Sequence, residues 1–597
     1  MKTLILLLCF GGALGSAHDA HGHSSAPPEA RFLRSPLAQT RDQATAAQPA
    51  YDRLCATCHG ADGKARTPAA ANLAVRPTNL TEYLMESMRE GEIYWVISHG
   101  IAGRMPQFSD QLNETGRWQL VQYVRSLRMR QRAMEKEKLG PYEWSLPPGF
   151  PLPNVPPENP MTAEKVALGR YLFYDKRLSF NQTQSCATCH RQEKAFTDGR
   201  ARGLGSTGEL HPRGPMSLVN VAYSPVLTWA NPLVRTLEAQ ALVPLFGENP
   251  VELGMAGKED VLIGRLKSDP RYRKLFAAAF PSQTDPFTIR SITQAIASFE
   301  RTILSGDAPY DRYRHGDDPA GMSGSARRGE AIFFSERLEC FHCHGGFNFT
   351  GTVDYLDKGF AEVEFHNTGL YNRKGEWSYP PPNLGLFDFT HQEEDVGKFK
   401  APTLRNVALT APYMHDGSIR TLAEVVSHYR SGGRTIKSGP NAGVGADNPN
   451  KSEFVKPFDL TSREEADLLA FLNALTDRTV LTDPRFSDPF APQIAHSPAS
   501  TAPRYVLRGR VVHVYLDDGA VTLYHDEVPG LIRAMKAPYA MAFLVPDREQ
   551  LQKLKPGQNV VASVRPQGAD YVLDNLRVQD EPARPATISQ PKGTLLR

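Results

Sequence analysis

The chain has 597 residues, a length that favours three or more domains over one. Its net charge of +3, from 68 Lys plus Arg against 65 Asp plus Glu, excludes the strongly basic balance of a nucleic-acid binder. With 41% hydrophobic and 22% charged residues it reads as ordinary soluble globular material, and 47 prolines with 47 glycines predict long loops.

Residues 1–17 read as a secretory signal peptide: Met1-Lys2, a short apolar run to Leu8, then small residues up to the break before His18. The run is too short to span a bilayer, and Cys9 falls within the segment to be removed. Residues 18–47 follow as a disordered His/Ala/Pro leader, whose His18, His21 and His23 could bind a metal but more simply form a solvated start.

The next feature recurs three times. Cys55-Ala56-Thr57-Cys58-His59, Cys186-Ala187-Thr188-Cys189-His190 and Cys340-Phe341-His342-Cys343-His344 are each Cys-x-x-Cys-His, and together they use six of the seven cysteines. Two thiols at this spacing can add to the haem vinyl groups while the next histidine ligates iron. Disulfides or half zinc sites are the alternatives, but each pair has its own histidine and no partner pair nearby. Three covalent c-type haems are predicted. Covalent haem is attached outside the bacterial cytoplasm, which agrees with the signal peptide and gives a periplasmic address.

Residues 48–130 form the first domain. Met105-Pro106 follows the His59 motif at about one domain length, and a thioether is a soft ligand suited to haem iron. Trp118, Leu120, Val121, Val124 and Leu127 predict a helix over 115–127. This resembles a small class I cytochrome c, an electron relay with His59 and Met105 on its iron. Residues 131–160 read as a charged helix and a proline-rich linker.

The central region divides into a first haem domain, 161–330, and a second, 331–487. Leu168-Gly169-Arg170-Tyr171-Leu172-Phe173, Ser217-Leu218-Val219-Asn220-Val221, Thr403-Leu404-Arg405-Asn406-Val407 and Thr410 to Ser418 are ordered as in the bacterial di-haem cytochrome c peroxidase and MauG superfamily, which this stretch resembles. The resemblance implies that the His190 haem is peroxidatic, with Glu252 as distal acid/base and Gln240 and Pro244 in its pocket. It implies that Trp229 bridges the haems and that Asn220, with carbonyls near 400–402, holds calcium. For the His344 haem it implies a second axial ligand on the helix after His415-Asp416-Gly417. Tyr429 stands there in place of the peroxidase methionine, with His428 and Met414 as competitors. A phenolate is an anionic donor that lowers iron potential, as in the MauG-type arrangement. His211 is the one counterpart of a blocking distal histidine, and its Gly-rich surroundings favour a permanently open haem. Residues 229–237 and 248–257 look closest to the MauG-like enzymes of methanobactin and copper-handling operons.

After a linker at 488–503 the pattern changes to period two. Strands are predicted at 506–512, 521–525, 542–545, 559–565 and 571–578, with Asp517-Asp518-Gly519 as a hairpin turn. A closed β-barrel over 504–580 removes their edges. His525, Met535 and Met541 resemble the copper ligands of the CusF-type module, although the close Met-x-Met pair is not intact. The alternative is a degenerate barrel used for docking. Residues 581–597 read as a disordered tail.

The expected fold is thus mainly α, loop-rich cytochrome c domains with a small C-terminal all-β barrel. The expected function is cleavage of hydrogen peroxide at an open haem, followed by oxidation of a protein partner linked to copper handling. A detoxifying peroxidase fed by the Met105 haem and a non-enzymatic redox wire are the alternatives. A redox partner or protein substrate is expected, a homodimer is allowed, and no membrane-spanning segment is read.

Overall fold

The computed structural model describes residues 26–491 and 505–579, apart from gaps at 83–84, 86–87, 140–141, 317, 359, 517–518, 530, 533, 536–539 and 568–569. The signal peptide, His18, His21, His23, most of the linker, Asp517-Asp518 and the tail lie outside the described residues. The chain forms two compact units: one holds the chain up to Arg132 with His344–Phe349, the other Ala133–Cys343 and Thr350 onward.

In the first unit, helices Gln48–Leu54 and Ala56–His59 carry the first Cys-x-x-Cys-His motif, and Glu90–His99 and the part of helix Glu114–Leu139 up to Arg132 follow. Trp118, Leu120, Val121, Val124 and Leu127 are buried with Tyr51, Ile93, Ile97 and Phe108 in one core. The charged stretch read as a separate helix continues this one, since no Gly or Pro interrupts it between Gly116 and Leu139. The leader needs correcting. Pro28–Phe32 is a 3-10 turn and Arg41–Ala46 a helix capped by Thr40, whose Oγ1 accepts Gln43 N–H. Its small side chains bury well, with Ala30 at 3% and Ala47 at 2% exposure, and Glu90 accepts Ser35 N–H at 3.2 Å.

The second unit contains two helix pairs built on one plan. Ala163–Tyr174 crosses Ile289–Glu300, and Gly324–Phe333 crosses Ser462–Ala474. Both crossings occur at glycine, because a Cβ on Gly169 would lie 1.9 Å from Ala295 O, and one on Gly329 1.9 Å from Asp467 O. The first helix of each pair precedes a haem motif, at Cys186–Cys189 and Cys340–Cys343. An asparagine with positive φ follows each, Asn220 at 58° and Asn406 at 60°, opening matched 3-10 turns Val221–Tyr223 and Val407–Leu409. The regular elements around the two haem motifs are chiefly helices, but between Cys189 and Leu237 only 3-10 turns occur. Side-chain hydrogen bonds and left-handed residues, not helix packing, fix these loops.

The tail is a closed five-stranded barrel in the order Tyr505–Tyr515, Ala520–His525, Met541–Leu544, Asp570–Gln579, Asn559–Gln567. Alternate positions Leu507, Val511, Val521, Leu523, Phe543, Val560, Ala562 and Val564 fill its interior. Helix Arg548–Lys553, absent from the sequence reading, covers one end through buried Leu551.

Candidate functional site

All six motif cysteines lie on or at the start of short helical turns, and none is joined to another in a disulfide. Each motif histidine is held the same way: His59 Nδ1 lies 2.9 Å from Thr78 O, His190 Nδ1 3.0 Å from Phe196 O, and His344 Nδ1 3.3 Å from Phe349 O. A carbonyl can only accept, so Nδ1 carries the proton and Nε2 keeps its lone pair. Burial also lowers the His59 and His190 values, favouring neutral imidazole. Two thiols and an oriented Nε2 are what covalent haem requires. Met105 packs in the apolar cluster that contains Cys55 and Ala56, and its loop is pinned by paired backbone bonds to Ile101 of 2.8 and 2.9 Å.

Around the second motif, helix Leu237–Phe246 presents Gln240 one turn before Pro244. The 248–255 strap folds back along it, with Leu253 N–H on Pro244 O and Met255 N–H on Leu245 O, both at 2.9 Å. This carries Glu252 to His211, Nε2 to Oε1 3.9 Å. Desolvation pushes the Glu252 carboxyl up to about 7, while burial and Arg213 push His211 down. A carboxyl poised near neutrality can take and return a proton.

Trp229 donates from Nε1 to Gly214 O at 2.8 Å and packs with Tyr379, Phe399 and Met414. Met414 therefore belongs to the tryptophan cluster. Tyr429 lies at the third motif, where burial and the Cys343 and Cys340 thiols raise its phenol. Next to it, His428 is 5% exposed and held neutral by burial and Arg434, pushed down to about 4. Asn220 is engaged on both sides, Oδ1 accepting Ser305 N–H at 2.8 Å and Nδ2 donating to Ser305 O at 3.0 Å. It thereby braces the 220 turn against the 305 segment.

In the barrel His525 exchanges backbone bonds with Met535, both 2.8 Å, and Leu523 pairs with Met541. Leu523 and His525 are two apart on one strand, so His525, Met535 and Met541 share the interior face, at 3%, 7% and 4% exposure. His525 Nδ1 is 2.8 Å from Asp526 O, and its Nε2 is buried without a hydrogen-bond partner. A buried lone pair beside two thioethers is a soft donor set that fits a cuprous ion.

The family model for di-haem cytochrome c peroxidase matches residues 163–319. The methylamine utilization protein MauG of Methylorubrum extorquens is 35% identical over 322 residues, which are 54% of this chain and 80% of that protein. The chain belongs to the di-haem cytochrome c peroxidase family.

It is accordingly a haem peroxidase that uses c-type haem. The cytochrome-c peroxidase IdrP1 of Denitromonas iodatirespirans is 36% identical over 372 residues, covering 58% of this chain and 91% of that protein. A solved MauG-like protein associated with microbial copper homeostasis is 48% identical, with a TM-score of 0.57 over 59% of this chain and all of that one. Two further family models match outside the peroxidase core: the cbb3-type cytochrome c oxidase subunit III at 42–124 and the copper-binding periplasmic protein CusF at 504–578. Among the described residues no helix is long and apolar enough to cross a membrane. The peroxidase lobes also contain features that the sequence reading missed: the nearness of His211 to Glu252 and buried Lys400, pushed down to about 8 and donating to Val226 O at 2.7 Å.

Proposed function

We propose that this protein is a three-haem, MauG-like peroxidase that cleaves hydrogen peroxide at the His190 site and spends the oxidising equivalents on a partner in copper handling. The haems, held by the three cysteine pairs with His59/Met105, His190 and His344/Tyr429, supply the redox-active iron. Glu252 takes the proton from the near oxygen of peroxide and returns it to the far one, and Gln240 and His211 shape that pocket. Trp229, fixed by its bond to Gly214, is an oxidisable indole between the motifs. Asn220 contributes a hard oxygen donor towards calcium. His525, Met535 and Met541 hold copper, and the signal peptide directs the chain to the periplasm. The observation that carries the MauG-type reading is Tyr429 beside Cys340 and Cys343, where a peroxidase has methionine.

The test is a peroxide titration of the fully oxidised protein, followed by absorption and electron paramagnetic resonance. Wild type is expected to give a long-lived, resonance-silent oxidised pair with near-infrared absorption, and Tyr429→Met to lose it. Reaction only after reduction of the Met105 haem, with simple turnover to water, would establish a detoxifying peroxidase instead.

A further inference from the structure

The barrel rests directly on the peroxidase lobe. Tyr515 Oη donates to Gly208 O at 2.8 Å, Ala540 N–H to Thr207 O at 3.4 Å, and the Lys176 ammonium lies 5.5 Å from the Tyr571 ring centre. Gly208 has φ +89°, and a Cβ there would come within 3.0 Å of Thr522 Cγ2, so barrel wall and loop backbone meet without a spacer. The loop is the hairpin closed by Leu204 and Leu210, and its other side borders the peroxide pocket. Ser206 N–H donates to Glu252 O at 2.6 Å, and Glu209 Oε2 accepts Val251 N–H at 2.9 Å. Gln184, two residues before Cys186, donates to Leu204 O at 3.1 Å, and Asn181 donates to Ser206 O at 2.5 Å. From Met541 the route to Glu252 is therefore one peptide to Ala540, a hydrogen bond to Thr207, one peptide to Ser206 and a second hydrogen bond.

We propose that cuprous ion held by His525, Met535 and Met541 is itself a reducing substrate of this peroxidase, with the 204–210 hairpin as the contact between copper site and peroxide pocket. This rests on the copper-holding and peroxide-cleaving reading given above. The balance is H2O2 + 2 Cu(I) + 2 H+ → 2 H2O + 2 Cu(II). The O–O bond breaks, each oxygen gains one electron and one proton, and Glu252 relays protons to the pocket. Each barrel gives one electron per copper loaded, so one peroxide consumes two loadings. Imidazole with two thioethers holds Cu(I) in preference to the harder Cu(II). Its oxidation thus calls for a strong oxidant, which peroxide cleavage supplies. The oxidised ion is then poorly held, and the donor set favours its release.

The experiment uses the full-length haem-loaded protein without oxygen, charged with Cu(I) against a chromophoric cuprous chelator and then mixed with hydrogen peroxide. Cu(II) is counted by electron paramagnetic resonance, and haem absorption is followed separately. Wild type should retain one Cu(I) and yield two Cu(II) per peroxide. His525→Ala should retain none. Tyr515→Phe and Gly208→Val should keep the cuprous affinity and the haem's own response to peroxide, yet slow Cu(II) formation about tenfold, the size of effect expected where one packed element couples two sites. Equal rates in wild type and both hairpin variants, or bound Cu(I) left unoxidised, would overturn the proposal while leaving the copper site standing. Failure of wild type to outcompete the chelator would overturn the copper site and the proposal with it.

Discussion

Replacing Glu252 by glutamine is expected to lower kcat/KM for hydrogen peroxide about 10²–10⁴-fold, the contribution of a positioned acid/base group. Glutamine keeps the shape and can still hydrogen-bond, but cannot take the proton from one peroxide oxygen and give it to the other. The pH dependence identifies the group. Its carboxyl is pushed up to about 7 by desolvation, so the ionised form that accepts the proton grows in as pH rises through neutrality. Wild-type kcat/KM should therefore climb between about pH 6 and 8 and level off above, whereas Glu252→Gln should be flat over that range. Stability should move the opposite way. An acid whose folded-state value lies above its unfolded value stabilises the fold below the unfolded value, and that contribution is lost as pH rises through the folded one. Between pH 5 and 8 the wild type should lose midpoint stability that Glu252→Gln retains. A variant less active and more stable at pH 8 distinguishes an acid/base group from a merely structural carboxylate.

The sequence was most legible where chemistry demands contiguous residues. Cys-x-x-Cys-His is a local pattern, and each motif histidine carries its tautomer-fixing carbonyl bond in the structure. Period two in the tail likewise led to a closed barrel, because alternation reports which side of a strand is buried. What escaped was long-range. The nearness of His211 to Glu252 depends on a strap folding back along a helix, which no local pattern encodes. The repeated helix pair was within reach of the sequence, since Gly169 and Gly329 each precede a Phe by four residues shortly before a haem motif. Two glycines are a weak signal until their close approaches to Ala295 O and Asp467 O are seen. The leader was misread because an Ala/Pro-rich stretch has little apolar area to bury, yet alanines fit against a close-lying helix.

Breaking the Asp311–Arg405 pair should give the largest stability loss in the peroxidase lobes. The two side chains are 2% and 1% exposed, and Arg405 Nη1 contacts Asp311 Oδ1 at 3.0 Å and Oδ2 at 2.8 Å. Asp311 Oδ2 also accepts Ala308 N–H at 3.0 Å, and the guanidinium carbon lies 4.7 Å from the centre of the Phe150 ring. Removing one partner strands the other charge away from water, at a cost of about 3–5 kcal/mol. Asp311→Ala should thus shift the denaturant midpoint sharply, followed by haem absorption in the loaded protein. Replacing both, as Asp311→Leu with Arg405→Met, should cost far less, since no unpaired charge remains and apolar groups fill the space. The position of the pair sets the functional consequence. Arg405 adjoins Asn406, whose side chain accepts Asp477 N–H at 2.8 Å and donates to Ser305 Oγ at 2.8 Å. Ser305 in turn grips Asn220, so the two asparagine turns that follow the two haem motifs share one polar anchor. Asp311→Ala should loosen both turns together, and the double variant should restore them. If the single and double variants lost equal stability, packing and not charge pairing would be what holds this junction.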